Sequence, residues 1–135
     1  MLHEAFVEAT VLDTTGIVVS SAANDQQMPR VASDGASYFA VWEDRRSGGA
    51  SPEIYGARLG ADASVVDATG VAIATGPSHG RPAVLPQTSG RWVVGYEHVD
   101  ATAERVRARF VRFGAAAGLG APCAGDVECN SGVCV

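Results

Sequence analysis

A chain of 135 residues, 47% hydrophobic and 19% charged, is long enough for a domain with its own core, which excludes a disordered segment. Its net charge of -5, with all ten basic residues arginine, leaves no basic footprint for a phosphate backbone, and no apolar run approaches the roughly 18 residues of a membrane span. Glycine at 16 positions, abundant alanine and valine, and the lack of a long helical apolar stripe predict an all-β chain of short strands.

In chain order, Met1 to Ala5 carries neither the basic nor the apolar stretch of a signal peptide, and residues 1–12 read as the remnant of a preceding unit. The segment Ala9 to Ser21 matches Ala63 to Thr75 at an offset of 54, with the pairs Asp13/Asp67 and Gly16/Gly70 marking one turn. Pro29 to Val31 matches Pro82 to Val84, Tyr38 to Glu43 matches Trp92 to Glu97, and Glu53 to Leu59 matches Glu104 to Phe110. Self-similarity over four blocks defines a tandem repeat, at 13–66 and 67–113, whose units bury a core only by stacking on neighbours. Strands are expected near 30–33, 37–44, 53–60 and 69–75, then 82–86, 91–98 and 104–112, with hairpin turns at Ser33-Asp34-Gly35 and Thr88-Ser89-Gly90.

Alternation places Tyr55, Ala57 and Leu59 on one face of a half-buried strand, with Val106, Ala108 and Phe110 on the equivalent face of its copy and Arg105, Arg107 and Arg109 opposite. The blocks Tyr38 to Trp42 and Trp92 to Tyr96 are apolar on both faces, as a strand between two sheets would be. The expected core is Phe39, Val41, Trp42, Tyr55, Leu59, Val84, Val94, Tyr96, Val106 and Phe110. Four strands in a unit of about 50 residues predict two antiparallel four-stranded propeller-like blades, a partial β-propeller, with a β-sandwich as the alternative.

The motifs Val41-Trp42-Glu43-Asp44-Arg45, Glu53-Ile54-Tyr55-Gly56-Ala57-Arg58 and Asp67-Ala68-Thr69-Gly70-Val71-Ala72-Ile73 resemble tandem repeats of large secreted or surface proteins from myxobacteria and similar bacteria. The resemblance covers residues 9 to 113 and implies a β-propeller fold and export; it names no ligand. The second copy departs from it, with Tyr96-Glu97-His98 for Trp42-Glu43-Asp44 and Arg107 for Gly56.

Residues 114–122 read as a linker, and 123–135 as a separate cysteine-rich segment. Cys123, Cys129 and Cys134 are disulfide candidates; zinc is disfavoured because no Cys-x-x-Cys pair and no nearby histidine accompany them. Their spacing, Cys-x5-Cys-x-Ser-Gly-x-Cys, resembles the opening of Dickkopf-like segments, which continue with further cysteines. An exported repeat without a signal peptide, and an odd number of cysteines, lead to the expectation that both ends are cut from a longer chain, extracellular or at the cell surface.

Trp42, Glu43, Asp44, Arg45, Tyr96 and Glu97 form the candidate ligand-binding set, because charged and aromatic groups cluster at the edge of a blade. The competing reading makes Glu43 with Arg58, and Glu97 with Arg109, cross-strand ion pairs, and assigns Tyr38, Trp42, Trp92 and Tyr96 to the core. Asp62, Ser64 and Asp67 are oxygen ligands without the dense spacing of a calcium loop, so calcium is the single cofactor left open. His3, His79 and His98 stand far apart in sequence beside no nucleophile motif, so no enzyme is expected. The functional expectation is a fragment of an extracellular binding or adhesion module for a protein or polysaccharide, completed by neighbouring blades or by self-association. Two alternatives remain: a two-blade lectin protomer that trimerises, and a piece of a propeller hydrolase.

Overall fold

The computed structural model describes residues 8–76, 78–88 and 90–114, and every regular element among them is a β-strand. Strands β1 (Gln26–Ser33), β2 (Tyr38–Asp44), β3 (Glu53–Leu59) and β4 (Val71–Ala74) form one antiparallel sheet in chain order. Strands β5 (His79–Thr88), β6 (Arg91–Val99) and β7 (Glu104–Arg112) form a second. The second sheet thus has three described strands rather than the expected four. The linker and the three cysteines, Cys123, Cys129 and Cys134, lie outside the described residues.

Strands β1 and β5 begin earlier than the sequence predicts because each carries a bulge at its proline. Pairing shifts between Gln27 and Arg30 and again between Gly80 and Ala83. Proline has no N–H for the ladder, and the residue before it adopts a positive φ in both strands, 55° at Met28 and 48° at Arg81. The ladder resumes on the N-terminal side, so residues that sequence alone leaves in a loop still pair. The β1–β2 turn is held by Asp34, whose Oδ1 accepts the backbone N–H groups of Ala36 and Ser37, both at 2.9 Å.

The β1–β2 and β5–β6 registers correspond position by position. Gln27 lies opposite Glu43 and Arg30 opposite Val41; in the second sheet Gly80 lies opposite Glu97 and Ala83 opposite Gly95. Glu43 therefore corresponds to Glu97 and Val41 to Gly95, as in the sequence blocks. The third strand departs from them. Glu43 faces Ile54 and Glu97 faces Val106, so Val106 corresponds to Ile54, one residue away from the block alignment. A one-residue shift turns every side chain to the other face. Val106, Ala108 and Phe110 thus occupy the positions of Ile54, Gly56 and Arg58, and not those of Tyr55, Ala57 and Leu59.

The sheets stack front to back. Phe39, Val41 and Ile54 of the first meet Val84, Trp92, Val94 and Tyr96 of the second, and Ile73 and Ala74 complete the core. The rings of Phe39 and Trp92 lie 5.5 Å apart, and Phe113 meets Phe39 edge-on at 5.2 Å. Gly56 is required beneath the Phe39 ring, since a Cβ there would fall 2.8 Å from both that ring and the Ala40 carbonyl oxygen. The second sheet's contribution, Trp92, Val94 and Tyr96, corresponds to Tyr38, Ala40 and Trp42, which alternate onto the opposite face of β2 from Phe39 and Val41.

Six of the expected core residues, Phe39, Val41, Trp42, Val84, Val94 and Tyr96, are buried. Tyr55 and Leu59 are half-buried, while Val106 and Phe110 are 85% and 59% exposed. Their apolar face points away from the first sheet, and the arginine side of β7 points toward it: Arg109 Nη1 donates to the Ile73 carbonyl at 2.7 Å. Ile54 belongs to the core although the sequence expectation omits it; Trp92 is buried as the core reading of the four aromatic residues expects, whereas Tyr38 of that set is 41% exposed.

Candidate ligand-binding cleft

Where β2 and β6 end and β3, β5 and β7 begin, a cleft of about 440 Å³ opens between the sheets. Glu43, Arg45, His79, Arg81, Glu97 and Glu104 are among its lining residues. The bulge in β5 leaves the Arg81 backbone N–H outside the regular ladder, and Glu43 Oε2 accepts it from the other sheet at 2.8 Å. Glu43 is itself buried, so this charge-assisted bond is a specific tie between the units. The Arg81 guanidinium pairs with Glu97 Oε1 at 2.7 Å, but both side chains are well exposed and the pair contributes little to stability. Arg45 spans the cleft wall, with its backbone N–H donating to the Asp25 carbonyl at 2.9 Å and its guanidinium to the Ala50 carbonyl.

Of the six candidate residues, Glu43, Arg45 and Glu97 line this cleft. Trp42 and Asp44 do not. They alternate onto the other face of β2, where Trp42 Nε1 donates to Asp44 Oδ2 at 2.7 Å and Arg46 binds the same carboxylate through its backbone N, Nε and Nη2, each at 2.8 Å. Tyr96 packs inward, its ring 5.4 Å from that of His79.

The expected Glu43–Arg58 and Glu97–Arg109 pairs do not form. Arg58 instead grips Asp67 at 2.8 and 2.9 Å, with its guanidinium 4.1 Å from the centre of the Phe113 ring. That grip, outweighing burial, holds the Asp67 pKa below the usual carboxylate value. Asp67 is thus occupied by Arg58, and Asp62 Oδ1 accepts from the Ser64 N–H at 3.0 Å and from its Oγ at 2.7 Å. Among the described residues no group of three His, Cys, Asp or Glu side chains is arranged to hold a metal.

With Arg81, His79 is a residue of the cleft that sequence reasoning missed. It lies opposite His98 in the β5–β6 pairing, and their rings come to 4.6 Å although 19 positions separate them in the chain. The register implied by a hairpin at Thr88 to Gly90 was the available signal. His79 Nδ1 lies 3.0 Å from the Gly76 carbonyl, which can only accept, so Nδ1 carries the proton. Burial pushes the His79 pKa below its ordinary value; His98, Arg109 and Arg107 push the same way, against the Gly76 hydrogen bond.

A folded-state pKa below the unfolded one means that the folded protein binds fewer protons through this group. Its contribution is intact above the unfolded value of about 6.5 and is lost as pH falls from there toward the folded value. Thermal melts between pH 7.5 and 5 are expected to show a falling midpoint, with a shallower fall in His79→Gln. A midpoint unchanged over that range would contradict a buried neutral His79.

No family model, curated protein or solved structure matches the chain. Among the described residues no helix is long and apolar enough to cross a membrane. The chemistry of the cleft follows from its groups: carboxylates and guanidinium groups of both signs around a polar opening suit a neutral or zwitterionic ligand rich in hydrogen-bonding groups.

Proposed function

We propose that the chain is part of an extracellular β-propeller-type array that binds a polysaccharide through the cleft between adjacent units, without catalysing its conversion. The observation that carries this reading is the front-to-back stacking of two equivalent sheets. A two-layer sandwich needs one buried face per sheet, whereas here the unit has two complementary faces. A contact between unlike faces of a repeated unit continues into a ring or an open stack, and the cleft recurs at each junction. The resemblance of the repeat motifs to those of exported bacterial proteins supports the same reading.

Glu97 and Arg81 form an exposed pair that can open toward a ligand, and Arg45 reaches the cleft from the β2–β3 loop. Immobilised bacterial surface polysaccharides are expected to retain the purified chain. Glu97→Gln and Arg45→Ala should each weaken retention about tenfold, as loss of one charge-assisted hydrogen bond does. Stability should stay within roughly 0.5 kcal/mol for Glu97→Gln, a surface change. Retention unaffected by both substitutions, or no retention on any such polysaccharide, would contradict the cleft as a polysaccharide site.

A further inference from the structure

We propose that the chain associates with a second copy of itself by repeating, between molecules, the stack that joins its own two sheets, with residues 17–20 of the second copy added to the edge of β7 as a fourth strand. The proposal rests on the reading of stacked units and specifies what covers their end faces.

Both halves of the required interface are present in one molecule, at opposite ends of the two-sheet stack, so they cannot meet within it. Three exposed residues of the end faces correspond to residues buried in the internal junction. Val106, 85% exposed, corresponds to Ile54, which is fully buried; Val31, 62% exposed, corresponds to Val84, which is buried. Tyr38, exposed, corresponds to Trp92, buried. The polar tie is duplicated as well. Glu97 stands where Glu43 stands, and the Met28 bulge, with φ of 55°, stands where the Arg81 bulge stands with 48°. Glu97 of one copy is thereby placed to accept the Met28 N–H of the next, as Glu43 accepts that of Arg81.

The edge strand follows from the same correspondence. Asp13 to Gly16 forms the same turn as Asp67 to Gly70: the glycine N–H bonds the aspartate carbonyl at 3.0 and 2.9 Å, and the glycine φ is 83° and 84°. After Asp67 to Gly70 the chain enters β4 and pairs with β3; after Asp13 to Gly16 no strand partner exists among the described residues. Val19 and Ser20, which correspond to the buried Ile73 and Ala74, are partly buried, whereas Val18 is 71% exposed. The segment is thus held as the last strand of a unit whose other strands the second sheet of another copy would supply. The β3–β4 register, Ile54 to Ala74, Tyr55 to Ala72 and Gly56 to Val71, predicts Val106 opposite Ser20, Arg107 opposite Val18 and Ala108 opposite Ile17.

Sedimentation equilibrium of the full chain, under reducing conditions to exclude intermolecular disulfides, tests the proposal. The mass is expected to rise with concentration above the monomer's 13.8 kDa. Val31→Glu and Val106→Glu each alter one well-exposed end face, so both should keep the circular dichroism of the unaltered chain, and each alone should be monomeric. Mixed in equal amounts they should form a one-to-one dimer and nothing larger, because each retains the face that the other has lost. A chain that stays monomeric at high concentration, a single variant that still associates, or a mixture that remains monomeric would each overturn the proposal. Polysaccharide retention by monomeric Val31→Glu separates the two readings, since the cleft lies within one molecule and Val31, opposite Ala40 on β1, is not among its lining residues. Retention without association removes this proposal alone, and association without retention removes the polysaccharide reading alone.

Discussion

Trp92→Ala is expected to destabilise the chain by about 3–5 kcal/mol, the range for deleting a large buried aromatic side chain. Trp92 is 1% exposed and lies in the junction between the sheets, 5.5 Å from the Phe39 ring, so its loss opens a cavity on the surface that makes two sheets one fold. The neighbours cannot close that space easily: Phe39 is held over Gly56 and against Phe113. Urea unfolding in the Val106→Glu background, where association does not contribute, measures the loss. Trp92→Phe, which keeps an aromatic ring, should cost distinctly less, and a cost below about 1 kcal/mol for Trp92→Ala would remove Trp92 from the core.

Asp44→Ala should be comparably damaging for an electrostatic reason. The Asp44 side chain is fully buried and accepts four hydrogen bonds, from the Trp42 indole and from Arg46 three times. Arg46 is in turn stacked 3.8 Å from the centre of the Tyr55 ring and donates to the Thr69 carbonyl at 2.6 Å, so it cannot leave without breaking those contacts. Removing the carboxylate strands a partly buried guanidinium and a buried indole N–H, at a cost of about 3–5 kcal/mol. Asp44→Asn, which keeps the shape and one acceptor, should fall between the two. Burial alone would raise the Asp44 pKa, but the bonds from Arg46 and Trp42 outweigh it and hold the carboxyl below its ordinary value. Its contribution is therefore present above the unfolded carboxylate value of about 4 and is lost as pH falls below it, a window separate from that of His79.

The sequence made the units legible wherever two copies could be compared directly. The Asp-x-x-Gly turns recur with nearly identical geometry, and β2 and β6 carry the buried centres of their sheets, although β6 is fully buried on its Trp92, Val94 and Tyr96 face alone and Tyr38 of β2 is exposed. What it could not show is which face of β7 turns inward. Alternating arginines and apolar residues read as a strand with Val106 and Phe110 buried, yet the face of a strand is fixed by register with its neighbour, and one residue of slippage inverts it. The bulges at Pro29 and Pro82 were hidden for a related reason, since a proline reads as a strand boundary when it marks only a local break.

Glu43 and Asp44 show the limit at the candidate site. Adjacent strand residues alternate between faces, so they could not share one cleft, and the structure gives one to the junction and the other to Trp42 and Arg46. His79 and Arg81 joined the cleft only through pairing across a hairpin, which composition does not reveal and which the register implied by the turn alone could have signalled.

Nuclear Overhauser contacts in the Val31→Glu chain, expected to be monomeric, test the front-to-back stack most directly. The account predicts contacts between the Phe39 ring and the Trp92 indole, and none from Val106 or Phe110 to any residue of β1, β2 or β3. Contacts from Phe110 or Val106 to Phe39 or Val41, with Trp92 free of the first sheet, would mean that the opposite face of the second sheet is buried, and the stacked-unit account would be wrong.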